Sequence, residues 1–144
     1  MRLRVKQAAQ KTALKVMEPI NPVLIIILGV YTMVWGVWVG NPFWDVFTRA
    51  PLYDEMAHFP EWAWGLFAFT SGVGILLGVK EGSNRSLRTG AFIGYFHWLI
   101  VSGMYFMGDW QNTGGITSLC FAVYSFVVLI NLHKNRGINT RKRA

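Results

Sequence analysis

Among its 144 residues the chain has a single cysteine, seven acidic residues and five prolines. Cys120 has no partner in the chain, which excludes a small secreted module stapled by disulfides. Only 15% of residues are charged, against about 25% in a soluble globular domain. There is no Gly-x-Ser-x-Gly, no phosphate-binding loop and no His-Glu-x-x-His in the sequence, so the common signatures of nucleophilic, phosphoryl-transfer and zinc-hydrolase chemistry are missing. Disorder is excluded from the other direction: 53% of residues are hydrophobic and 15% aromatic, whereas disordered chains are poor in both.

The apolar residues are gathered into four stretches of bilayer length. About 20 apolar residues at 1.5 Å each cover the roughly 30 Å of hydrocarbon in a membrane. Residues 22–40, 61–79, 89–108 and 115–132 each meet that length, with Glu61 as the only formal charge among them. None carries the polar stripe of a helix lying on a soluble core. The first stretch is too long for a signal-peptide core, and bulky Trp38, Phe43 and Trp44 follow where a peptidase needs small residues. The expected fold is all-α, an integral membrane four-helix bundle with up-down-up-down topology. Residues 20–132 form the membrane domain, 1–19 a basic amphipathic cytoplasmic segment, and 133–144 a basic cytoplasmic tail. The connections at 80–88 and 109–114 are short, which favours antiparallel neighbours. The connection at 41–60 is longer, punctuated by Pro42, Pro51 and Pro60 and rich in rings. It is expected to form one or two short helices along the membrane surface with their rings toward lipid.

Thirteen of the fourteen Lys and Arg residues fall on the side shared by the termini and the second connection, and Arg49 alone on the other. Five of the seven acids take that other side: Asp45, Asp54, Glu55, Glu61 and Asp109. The positive-inside rule then puts both termini in the cytoplasm, with a bacterial inner membrane as the expected location. The formal charge of +7 is explained by topology and by attraction to an anionic inner leaflet, not by nucleic acid. Trp38, Trp44, Trp62, Trp64 and Trp110 lie at or near the outer ends of spans or in the outer connections, as indoles of an interfacial belt do. In residues 1–18 apolar and basic positions alternate at roughly helical spacing before Pro19 and Pro22 interrupt, which suits a topogenic flank or a segment lying on the inner leaflet.

Every span carries small residues four apart: Gly36 and Gly40, Gly74 and Gly78, Gly90 and Gly94, and Ser118 and Ala122. Such ridges let backbones approach closely in lipid, either within one bundle or between copies in an oligomer.

Few polar groups remain as candidates for chemistry. His97 is the only ionisable side chain near mid-membrane, a costly position that marks it as a functional suspect. A hydrogen bond to Ser71, Thr70, Ser118 or Tyr31 is the structural reading. Haem ligation would call for a second histidine at equal depth, and His58 and His133 lie at opposite rims. Asp54 and His58 stand four apart and Glu61 follows across Pro60, a charged rim with an Asp–His pair that falls short of a metal ligand set. Cys120 inside a span stays a protonated thiol. No catalytic residue, cofactor or metal is expected. The leading reading is a non-enzymatic accessory or assembly subunit, contacting a membrane-complex partner or another copy of itself through glycine ridges and an aromatic outer loop. One alternative is a holin-like permeabilising oligomer of a bacterial virus, which the basic tail Arg141, Lys142 and Arg143 would suit. A second is a haem-bearing or proton-conducting subunit built on His97.

Overall fold

The computed structural model describes residues 21–43, 46–47, 53, 55–108, 111 and 113–141, the segment 134–141 as backbone only. The chain forms four helices, α1 (Pro22–Val39), α2 (Glu61–Glu81), α3 (Asn84–Gly108) and α4 (Thr113–Arg141), with a 3-10 turn at Met56–His58 before α2. No strand occurs among the described residues. All four helices are long and apolar enough to cross a membrane, α4 through its portion Thr113–His133. Residues 1–20, Trp44, Asp54 and Trp110 lie outside the described residues, and so do the readings made of them above.

The helix ends follow from local chemistry. Asn21 accepts a hydrogen bond from Val23 N at 2.9 Å, and Pro22 occupies the first turn, where its missing N–H costs nothing. At the end of α2 Gly82 adopts φ 67°, a left-handed conformation that a side chain would disfavour, and Ser83 N reaches back to Gly78 O. Ser83 Oγ then accepts from Ser86 N, and α3 begins at Asn84. The expected nine-residue connection at 80–88 is thereby reduced to Gly82 and Ser83, because capping groups let both helices continue past their apolar runs. α4 continues likewise to Arg141. Its 29 residues span about 43 Å, more than the hydrocarbon thickness.

Consecutive helices pack on one another, and glycine makes the approach possible. A Cβ at Gly36 would lie 2.5 Å from Phe69 N, at Gly65 2.5 Å from Gly40 Cα, and at Gly72 2.5 Å from Met33 N. Residues therefore pair in descending order along α2 as they ascend α1. The other side of α2 meets α3 in the same way: Gly74 opposes Gly90, and Gly78 opposes Leu87. A Cβ at Gly94 would come 2.6 Å from Ser71 Oγ. Each of these glycines meets another helix of its own chain. Ser118 and Ala122 of α4 are buried within the bundle as well.

Hydrogen bonds reinforce the seams: Ser71 Oγ donates to Gly90 O at 2.9 Å, Ser102 Oγ to Gly115 O at 2.8 Å, and Trp98 Nε1 to Thr32 Oγ1 at 3.1 Å. With no water to compete in a bilayer, such bonds contribute roughly 0.6–2 kcal/mol each. The aromatics Tyr31, Trp35, Trp98 and Phe121 fill the space between α1, α3 and α4.

The core divides into two clusters. One joins Ile25, Leu28, Ile75, Leu87, Ala91, Val128 and Leu132 toward the second connection. The other joins Val39, Trp64, Trp98, Val101, Tyr105 and Ala122 with Phe47 and Met56 from the connection between α1 and α2. Here the structure corrects an expectation. Phe47 and Met56 turn inward and are fully buried, with Tyr53 packed against the same cluster, so this part of the α1–α2 connection is a plug in the bundle, not a surface segment facing lipid. Burial of a Phe or Met side chain contributes about 1.5–3 kcal/mol, and the inward position achieves it without lipid.

Candidate functional site: a lateral cleft at His97

α3 carries His97 near its midpoint, and the packing of α3 against α1 and α2 determines what surrounds the ring. Three indoles enclose it: Trp35 at 5.0 Å between ring centres, Trp98 at 5.1 Å and Trp64 at 6.2 Å, all inclined edge to face. Edge-to-face contacts of this kind place the positive edge of one ring against the negative face of another. His97 is 4% exposed. Its Nε2 is buried and has no hydrogen-bond partner among the described residues.

That finding departs from the expected hydrogen bond. Ser71, one of the proposed partners, donates its hydroxyl to Gly90 O instead, and the imidazole is left among rings. A buried nitrogen without a partner costs about 1–3 kcal/mol, and among the described residues the Tyr124 hydroxyl is the other buried polar atom left so.

One face of His97 forms part of the wall of a cleft of about 410 Å³ between α2 and α3. Phe59, Ala63, Trp64 and Phe67 supply one side, and Phe92, Ile93, Phe96, Ile100 and Met104 the other. Phe67, Phe92 and Ile100 are half exposed or nearly so, so the cleft opens sideways, away from the bundle axis. Its volume lies within the range of small-molecule sites, about 300–1,000 Å³.

The remaining polar candidates are at the end of the bundle that carries the connection between α1 and α2. Glu61 opens α2 and its Oε1 accepts from Phe47 N, fastening the buried plug to the helix start. A carboxylate in the first turn also suits the helix dipole. His58 is exposed in the 3-10 turn, its Nδ1 3.2 Å from Glu55 O. With Asp54 outside the described residues, the Asp54–His58 pair is outside them too. No three His, Cys, Asp or Glu side chains converge among the described residues. Comparison with protein-family models, curated proteins and solved structures finds no match to this chain.

The tryptophans divide by surroundings. Trp38 and Trp62 are exposed on the bundle surface. Trp64, grouped with them by sequence position, is instead buried, and its Nε1 donates to Met56 O at 3.1 Å. Sequence reasoning also passed over Gly65 and Gly72, which make the tightest contacts with α1. They stand seven apart, two helical turns, and a search for spacings of four does not find them. The orphaned nitrogen of His97 had no sequence signal beyond its depth.

Proposed function

We propose that the protein is a non-enzymatic integral membrane subunit whose four helices alternate in direction, with both termini on the cytoplasmic side of a bacterial inner membrane. It acts as an accessory or assembly component through contacts with another membrane protein. The descending order of contacts between successive helices supports the alternating path. The asymmetry of basic residues supports the orientation.

The observation that carries the functional reading is how the polar groups and glycines are used. Ser71, Ser102, Ser125, Thr32 and Trp98 are committed to hydrogen bonds within the bundle, and the paired glycines of α1, α2 and the first half of α3 to seams inside it. What faces outward is large and apolar, and toward the outer end it includes Phe43, Phe59, Trp62 and Met107, of which Phe43 is 88% and Met107 73% exposed. Exposed apolar groups run along every helix, but Phe43 and Met107 are the two most exposed large ones among the described residues, which supports a contact surface for a partner at this rim. The permeabilising alternative drew on glycine ridges facing a second copy, and those ridges are spent on neighbours in the same chain.

Mild-detergent extraction from native membranes, followed by native electrophoresis, tests the reading. A complex of defined composition containing this chain is expected, dispersed by Phe43→Ala with Trp62→Ala. A strictly monomeric species under all mild conditions overturns it.

A further inference from the structure

We propose that the cleft between α2 and α3 holds one acyl chain of a membrane phospholipid, entering from the leaflet on the side of the α1–α2 connection with its methyl end deepest. This rests on the chain crossing a bilayer, as proposed above, and not on the assembly role.

The position of the cleft follows from the glycine seam. Gly74 and Gly78 bring α2 into close contact with Gly90 and Leu87 of α3, and Ser71 donates to Gly90 O. Toward the α1–α2 connection large side chains replace glycine along this interface. The lining starts at Phe92 and Ile93 on α3 and runs to Met104 and Phe59, leaving about 410 Å³ between the helices.

Length, chemistry and access name the occupant. From Phe92 to Met104 α3 advances about 18 Å at 1.5 Å per residue. That is close to one leaflet's share, ~15 Å, of the hydrocarbon thickness, so the cleft suits a chain hanging from the headgroup level to the midplane. The lining is almost wholly apolar. His97 adds to the wall, but its unpartnered Nε2 is buried. A carbonyl, hydroxyl or headgroup placed inside would lose water without gaining a partner, whereas a methylene chain needs none. Phe67, Phe92 and Ile100 stand about half exposed at the lateral opening, which in a bilayer admits lipid. An empty cleft forfeits the dispersion contacts of its walls, and water finds no hydrogen-bonding groups there to hold it. At the mouth Phe59 and His58 are exposed, and the ester groups and headgroup stay outside the cleft at that level.

The test is native mass spectrometry of the full-length protein in mild detergent, incubated with palmitoyl-oleoyl phosphatidylcholine or with phosphatidylglycerol carrying the same chains. Saturable retention of one lipid per protein is expected, alike for the two headgroups. Ala63→Phe and Ile93→Trp, which fill the cleft from opposite walls, should each reduce the retained fraction tenfold or more. Val123→Trp on the exposed face of α4 should leave it unchanged. Added phospholipid should raise the unfolding midpoint of the wild type and of Val123→Trp but not of the two cleft variants, and the same melts confirm that each variant is folded. Equal retention by the wild type and both folded cleft variants overturns the proposal. Retention that follows the headgroup instead of the chain does so too, as does the absence of retained lipid on a protein that inserts into nanodiscs. A polypeptide that stays dissolved without detergent and does not insert overturns the membrane-crossing reading itself, which is a separate failure.

Discussion

Trp98 and Thr32, 66 positions apart in the chain, meet through a 3.1 Å hydrogen bond from the indole Nε1 to Oγ1, with both side chains fully buried. The bond joins α3 to α1, which are not consecutive, and it sits beside the ring cluster around His97. It is therefore a lock between parts of the bundle that the short connections do not hold together.

Thr32→Val keeps the shape and removes the acceptor. The indole N–H is then left buried and unpaired, at a cost of about 1–3 kcal/mol. We expect a lowered unfolding midpoint in detergent by a few degrees, with Thr32→Ser largely preserving it. Circular dichroism melts of the two variants measure the difference.

Gly72→Ala and Gly103→Ala form a matched pair. At Gly72 the added methyl meets backbone at 2.5–2.6 Å, which forces α1 and α2 apart. At Gly103 nothing lies within 4 Å. Overpacking of this kind costs about 1–3 kcal/mol, whereas the Gly103 change should be neutral or slightly stabilising through helix propensity, by up to about 1 kcal/mol. Thermal stability in one detergent discriminates the two outcomes.

Glu61→Ala removes the acceptor that holds Phe47 N. The outer plug should loosen while the four helices persist. Hydrogen exchange at the Phe47 amide is expected to quicken by an order of magnitude, corresponding to a loss of about 1.4 kcal/mol in local protection, with the amides of α3 unchanged.

Orientation can be read by cysteine labelling in a Cys120→Ser background. A cysteine at Gln7 or Ala144 should resist a membrane-impermeant maleimide in intact cells, and one at Ala57 should react. Labelling at the two chain ends from opposite compartments would overturn the alternating path, because four crossings return the chain to the side where it began.

Much of the local structure could be read in advance. Pro22 after Asn21, and Gly82 followed by Ser83, are cap chemistry acting within a few residues, so helix ends were accessible to sequence reasoning even though the expected third span began five residues late. That lag arose because the apolar run, not the cap, was taken as the boundary. Trp64 was less legible. An indole near a span end suits the headgroup region and the bundle interior equally, and its neighbour Trp62, two residues away, takes the other choice. The same ambiguity applied to Phe47 and Met56, whose apolar side chains are satisfied by lipid or by core.

The sequence by itself determined four apolar helices of membrane length and the uneven placement of positive charge, because transfer into hydrocarbon and attraction to headgroups are properties of individual residues and short runs. Which face of each helix meets which neighbour was decided only by tertiary packing. The glycine seams within the chain, the inward plug, and the placing of His97 between three indoles and a lateral cleft all depend on the rotation of one helix against another. In a bilayer hydrophobicity cannot set that rotation, since lipid is as apolar as leucine; close contact and hydrogen bonding do.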